Sequence, residues 1–155
     1  MDTTENNQIA KEYFNRGLAK ANQQDLNGAM TDFSLAIDLN PEYGEAFDNR
    51  GIVKGKLKDY DGSISDTTLA IKLNPENARA YFNRGRTRCY LKDYNGAIAD
   101  FSEAIRINPK YSDAFFNRGV IKLILDQNDS GLLDLYRAKF YGDESADGVI
   151  KKYCL

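Results

Sequence analysis

Two series of charged residues recur in register along this chain. Arg16, Arg50, Arg84 and Arg118 are matched one for one by Asp32, Asp66, Asp100 and Asp134. A guanidinium and a carboxylate that keep a constant separation point to a bidentate ion pair, formed within each recurring segment or across each junction. The spacing leaves both arrangements open, and an arginine row facing a ligand is the functional alternative. Lys20, Lys54, Arg88 and Lys122 keep the same register and are expected to form a solvated or snorkelling row. A third series is neutral: the carboxamides of Asn15, Asn49, Asn83 and Asn117 each offer a donor and an acceptor.

Chemistry of the catalytic kind finds little support. The chain has no histidine, which removes imidazole acid–base catalysis, His-containing triads and His metal ligands. Its two cysteines, Cys89 and Cys154, are too few for a thiolate metal cage. Gly51-x3-Gly55-Lys56 lacks the spacing and the preceding strand of a phosphate loop. Asp59-Tyr60-Asp61-Gly62 resembles a calcium-loop fragment, but it lacks the downstream Glu ligand and falls at a helix start. The expectation is therefore a protein that is not an enzyme and uses no cofactor or metal.

Charge and hydropathy narrow the class further. A formal net charge of -2 argues against a nucleic-acid binder that relies on overall charge. No stretch approaches 18 apolar residues, so no membrane insertion is expected. The segment from Met1 to Gln8 lacks the apolar region of a secretory signal. Two cysteines suit a reducing compartment, and Lys-Tyr-Cys-Leu places Cys154 next to last, which fails the prenylation pattern. A cytoplasmic protein is expected, with 155 residues and 42% hydrophobic content filling one domain.

The elements that must position these residues follow from the period itself. Asn-Arg-Gly recurs at Asn15, Asn49, Asn83 and Asn117, each copy 34 residues after the last, and Asn-Pro recurs at Asn40, Asn74 and Asn108. A fixed period of this length implies a supersecondary unit stacked on copies of itself. Within Ala78 to Lys110, Ala97, Ile98, Phe101, Ala104 and Ile105 form one apolar stripe at helical spacing. Asp93 is placed to cap that helix, and Pro109 forbids its continuation. Each unit is thus two antiparallel helices joined by a short turn.

On these residues the unit resembles a tetratricopeptide repeat. The family's Trp-x2-Leu-Gly-x2-Tyr, Ala-x3-Phe and Pro signature falls on Tyr81, Arg84, Gly85, Arg88, Ala97, Phe101 and Pro109. Small and aromatic positions match, while Arg replaces the Leu and the second Tyr. The resemblance implies an all-α, right-handed α-α superhelix in a single domain over 1–155. Repeats are expected at about 10–43, 44–77, 78–111 and 112–142. Helices are expected near Gln8–Asn22, Leu26–Leu39, Glu45–Leu57 and Tyr60–Leu73, after a frayed lead-in from Met1 to Asn7. The pattern decays in repeat 4, where Gly131 and Asp143 replace Ala and Pro. The segment 143–153 then reads as a capping helix with Val149, Ile150 and Tyr153 turned inward, because a last repeat otherwise exposes the face meant for a neighbour.

Most recurring positions carry a structural expectation. Tyr13, Phe47, Tyr81 and Phe115 should pack between paired helices, with Gly17, Gly51, Gly85 and Gly119 as close-approach points opposite Ala29, Ser63, Ala97 and Gly131. Thr67 stands where other repeats have Phe33, Phe101 and Leu135, so repeat 2 should be less well filled.

The Asn series carries the functional one. In proteins built like this, an Asn ladder can hold an extended peptide by its backbone while variable neighbours select side chains. Sharing that face are Lys11, Phe14 and Leu18; Glu45, Asp48 and Ile52; Arg79, Phe82 and Arg86; and Asp113, Phe116 and Val120. Arg79 and Arg86 bracket Asn83, with Lys56 on the neighbouring helix, so an acidic residue or free C-terminus of a peptide is expected there. The structural reading is that each Asn caps or bridges helices. A second functional reading is homo-oligomerisation through the ends or groove. A third, the chaperone-tail carboxylate clamp, matches Asn49, has Arg79 and Asn83 where that subtype places its third-repeat Lys and Arg, and meets Phe14 and Leu18 where it places Lys and Asn, two matches of five. A protein or peptide partner, with no nucleic acid, is the expectation.

Overall fold

The computed structural model describes residues 3–153, and among these the chain forms nine α-helices and no strand. They are α1 (Thr3–Asn22), α2 (Leu26–Leu39), α3 (Gly44–Lys56), α4 (Tyr60–Leu73), α5 (Ala78–Tyr90), α6 (Tyr94–Ile107), α7 (Ser112–Ile124), α8 (Asn128–Phe140) and α9 (Ser145–Tyr153). The chain divides into two compact units, residues 1–83 and 84–155, with the boundary inside α5. Helix α1 starts five residues earlier than expected. The lead-in from Thr3 to Asn7 is helical, since it holds no Gly or Pro and Glu5 favours the positive end of the helix dipole. Met1 and Asp2 lie outside the described residues.

Helix starts and stops follow a repeated local chemistry. The carboxylates of Asp25, Asp59 and Asp93 accept from the backbone N–H of Gly28, Gly62 and Gly96 at 2.9, 3.0 and 3.0 Å. This satisfies an N–H that the first helical turn leaves without a partner. Asn-Pro recurs because the same Asn ends one helix and begins the turn. The N–H groups of Asn40, Asn74 and Asn108 donate to the carbonyls of Ala36, Ala70 and Ala104. Their side-chain oxygens accept from the N–H of Glu42, Glu76 and Lys110, just past the proline.

The recurring glycines are where paired helices touch. In the first unit, a methyl group at Gly17 would lie 2.7 Å from the Phe33 ring, and one at Gly51 2.9 Å from Thr67 Cγ2. In the second unit, one at Gly85 would lie 2.9 Å from the Phe101 ring. At Gly119 it would meet backbone: 2.9 Å from the Gly131 carbonyl oxygen and 3.2 Å from the Leu135 nitrogen. A ring can tilt but a packed backbone cannot. Gly119→Ala is therefore expected to cost about 1–3 kcal/mol through overpacking, exceeding the ~1 kcal/mol that Ala gains in helix propensity. Gly17→Ala should cost less, and paired urea denaturation curves of the two variants give the order.

Thr67 is fully buried, and its hydroxyl donates to the carbonyl oxygen of Ser63 at 2.8 Å. The hydroxyl is satisfied, but the volume of the Phe33 or Phe101 ring is missing there. In the second unit, Ala146 and Ile150 of α9 pack with Phe115, Leu123, Leu135 and Ala138, and Val149 flanks them. Tyr153 does not turn inward: it is 46% exposed, because the packed face is the i, i+4 row of Ala146 and Ile150 and Tyr153 ends the helix beyond it.

Candidate functional site

Each Arg and Asp of the recurring series pairs within its own helix pair. Nε and Nη2 of Arg16 donate to Asp32 at 2.8 and 2.6 Å, and those of Arg50 to Asp66 at 2.8 and 2.9 Å. In the second unit the same fork joins Arg84 to Asp100 at 3.0 and 2.7 Å, and Arg118 to Asp134 at 2.8 and 2.8 Å. The row read as solvated is instead the second half of each pair. Lys20, Lys54, Arg88 and Lys122 reach the same four carboxylates at 2.9, 2.9, 2.8 and 2.7 Å. The reason is burial: the four aspartates are at most 3% exposed, and a buried carboxylate needs more than one donor.

This shows in the acid equilibria. Hydrogen bonding from Arg16 holds the Asp32 carboxyl down to about 2. Burial works to raise Asp134, but hydrogen bonds from Arg118 and Lys122 outweigh it and the net direction is down. The arginines also lie against the aromatic positions, Arg16 over Tyr13 at 4.8 Å and Arg118 over Phe115 at 5.6 Å. The arginine row is thus occupied by the scaffold.

The Asn series divides. Nδ2 of Asn49 donates to the Glu45 carbonyl oxygen at 2.8 Å, and Nδ2 of Asn117 to that of Asp113 at 2.7 Å. Asn83 instead reaches another helix, donating to Asp48 Oδ1 at 2.9 Å. Asp48 is fully buried, and its other oxygen accepts from Arg79 Nε at 2.9 Å and pairs with Arg79 Nη2 at 2.9 Å. Asn15 is exposed.

An open cleft of about 510 Å³ in the first unit collects much of what the periodicity pointed to. Phe14, Leu18, Glu45, Asn49, Glu76 and Arg79 are among its lining residues. Phe14 is 7% exposed, held against Tyr43 and Phe33 at ring-centroid distances of 4.9 and 5.7 Å, and so forms the cleft wall. Phe82 is buried, Lys56 is exposed in the last turn of α3, and Arg86 is exposed. Phe116 is half-buried against the core of the second unit. Sequence reasoning missed Asn74, Glu76 and Asn77 in the lining. Their signal was the Asn-Pro turn, which delivers backbone and side chains to the cleft edge.

Burial pushes the Cys89 thiol up to about 11, and the S–H donates to the Gly85 carbonyl oxygen at 3.1 Å. Cys154 lies outside the described residues. In a Cys154→Ser variant, Cys89 is expected to resist alkylation at pH 7.5 in the folded protein and to react on unfolding. Thiol titration by a chromogenic disulfide distinguishes the two states.

Family models for the tetratricopeptide repeat match residues 78–111 and 10–43. No curated protein matches the chain by sequence. Among solved structures, the crystal structure of MamA is 19% identical, with a TM-score of 0.82 over 89% of this chain and 81% of that one. The TPR domain of Arabidopsis OM64 is 26% identical, with a TM-score of 0.74 over 76% and 97%. The first TPR of Spaghetti (RPAP3), bound to the HSP90 peptide SRMEEVD, is 24% identical, with a TM-score of 0.76 over 77% and 95%. The fold class is the all-α helical repeat of the α-α superhelix type, with a C-terminal helix. No described helix is long and apolar enough to cross a membrane. The recurring helix pairs, their Asp caps and Gly contacts thus accompany two segments, 10–43 and 78–111, that are each similar to the tetratricopeptide repeat.

Proposed function

We propose that this chain is a non-catalytic four-repeat interaction module that takes an extended peptide segment of a partner protein. The observation that carries this is the cleft of the first unit, whose lining brings two apolar side chains, Phe14 and Leu18, together with the polar groups of Asn49, Glu45 and Arg79. That pairing suits a peptide with one apolar side chain and a backbone to be held. Asn49 keeps its side-chain oxygen for a peptide N–H while its nitrogen is bonded to its own helix. Asp48 occupies Nε and Nη2 of Arg79, so this arginine serves as a donor to a peptide carbonyl through Nη1 rather than as a free cation. Asp48 thus positions Arg79 and is itself held by Asn83, while Phe82 beside them in sequence is buried. Lys56 and Asn15 are exposed contacts in the first unit; Arg86, Phe116 and Asn117 are the proposed contacts of the second.

The Spaghetti domain holds an HSP90 peptide, and its resemblance raises the same ligand here. Phe14 and Leu18 line the cleft where the carboxylate-clamp subtype places Lys and Asn, so an apolar residue is favoured over a chaperone tail. The test is selection of twelve-residue peptides on the immobilised chain, followed by calorimetry. Leu18→Lys with Asn49→Ala is expected to weaken the selected peptide by about tenfold or more, since each 1.4 kcal/mol is a factor of ten and one buried apolar contact plus one hydrogen bond supplies at least that. Unchanged affinity in a variant with a native melting curve places the ligand elsewhere.

A further inference from the structure

The outer face of α8 departs from the period that the earlier second helices keep. One recurring position reads Thr31, Ser65, Ala99 and then Leu133; the next Ser34, Thr68, Ser102 and then Tyr136; the third Asp38, Lys72, Arg106 and then Phe140. Small or polar residues thus give way to large apolar ones only in the fourth repeat. Leu133, Tyr136 and Phe140 are 54, 51 and 82% exposed, so the change does not serve the core of the second unit, which α8 supplies with Leu132, Leu135 and Ala138. Their spacing puts them on one side of the helix. Large apolar side chains grouped on an exposed helix face mark a contact surface.

The charges on the same face say what covers it. Asp129 lies one turn before Leu133 and Arg137 one turn after, both exposed and neither in a salt bridge among the described residues, though the Arg137 guanidinium lies 5.7 Å over the Phe115 ring. Asp129 and Arg137 stand four residues either side of Leu133, so the charges of this face are complementary to those of its own reversed copy. We propose that a second copy of this chain docks antiparallel on α8. Leu133 lies on the two-fold axis, Tyr136 is covered, Phe140 meets the turn before α8 of the other copy, and Asp129 of each copy faces Arg137 of the other. Such a contact is isologous and closes at two copies. One helix face buries less than the ~800 Å² per partner of a standard interface, so the dimer is expected at micromolar rather than nanomolar concentrations. This surface is separate from the peptide cleft, and neither reading depends on the other.

Sedimentation equilibrium of the full chain from low micromolar to a few hundred micromolar tests it. The parent should pass from monomer to dimer and no further. Leu133→Asp with Phe140→Asp, both exposed and so compatible with folding, should remain monomeric throughout. Asp129→Arg alone should raise the dissociation constant roughly tenfold by setting like charges opposite each other, and adding Arg137→Asp should restore it. A monomeric parent across the range overturns the proposal and leaves the face to a different protein. A dimer indifferent to the apolar pair, or to the charge swap, overturns it as well.

Discussion

Asp134→Ala is expected to lower the stability of the second unit by about 3–5 kcal/mol, the cost of removing one partner from a buried charge cluster. Asp134 is 2% exposed and accepts from Arg118 Nε and Nη2 and from Lys122 Nζ. The side chains of Arg118 and Lys122 are only 14 and 18% exposed. Without the carboxylate, two poorly hydrated cations stand side by side. Against the 5–15 kcal/mol typical of a whole domain, that loss is large. Replacing the cluster together, with Asp134→Leu, Arg118→Met and Lys122→Met, should recover most of it, because well-packed apolar groups substitute for a buried ion cluster at little cost. Urea denaturation of both variants decides the matter, and a loss below about 1 kcal/mol in the single variant would mean the pairs contribute little.

The same carboxylates set an acid limit. The folded-state pKa of Asp32 and Asp134 is depressed, so their contribution is fully present above the unfolded carboxylate value of about 3.9. It is lost as the pH falls from there toward about 2, where Asp32 titrates in the folded protein. Melting temperatures should be flat from pH 7 to 5 and fall steeply below 4. In the triple apolar variant, the part of that fall due to Asp134 should vanish.

The helix pairs were legible because period, caps and breakers agree: Asp25, Asp59 and Asp93 start helices, and the three Asn-Pro pairs end them. The Gly contacts were legible for the same reason. What the sequence left open was partner choice among charges. Four Arg, four Asp and four more cations share one period, so periodicity alone cannot say which pairs form or that each carboxylate takes two. Only the depth of the aspartates, at most 3% exposed, decides it. Asp48 shows the same limit more sharply. Its position on the first-helix face made it a groove residue by spacing, yet it is fully buried and holds Arg79 and Asn83. Spacing assigns a face, but depth depends on how closely the next helix approaches.

Deleting residues 145–155 is expected to lower the melting temperature by about 10 °C, from a loss of roughly 3–5 kcal/mol at 2–4 °C per kcal/mol for a chain of this size. Helix α9 places Ile150 (6% exposed) and Ala146 (0%) on Phe115, Leu123, Leu135 and Ala138, with Val149 at the edge. Burying an isoleucine is worth about 1.5–3 kcal/mol, and the half-buried valine adds part of the same. Removal also uncovers Leu135 and Ala138, both fully buried in the intact chain. Tyr136 cannot be counted in this loss, since it is 51% exposed with α9 in place. The ion pair of Lys139 with Asp147 goes as well, but both groups are solvated enough that it contributes little. Because a repeat is stabilised chiefly by its neighbours, the damage should concentrate in α7 and α8. Hydrogen exchange would show protection lost there and retained in α1–α4. Ile150→Asp, which keeps the chain length, should reproduce most of the drop. If both variants melt within about 2 °C of the parent, less than 1 kcal/mol is involved and α9 is not a cap.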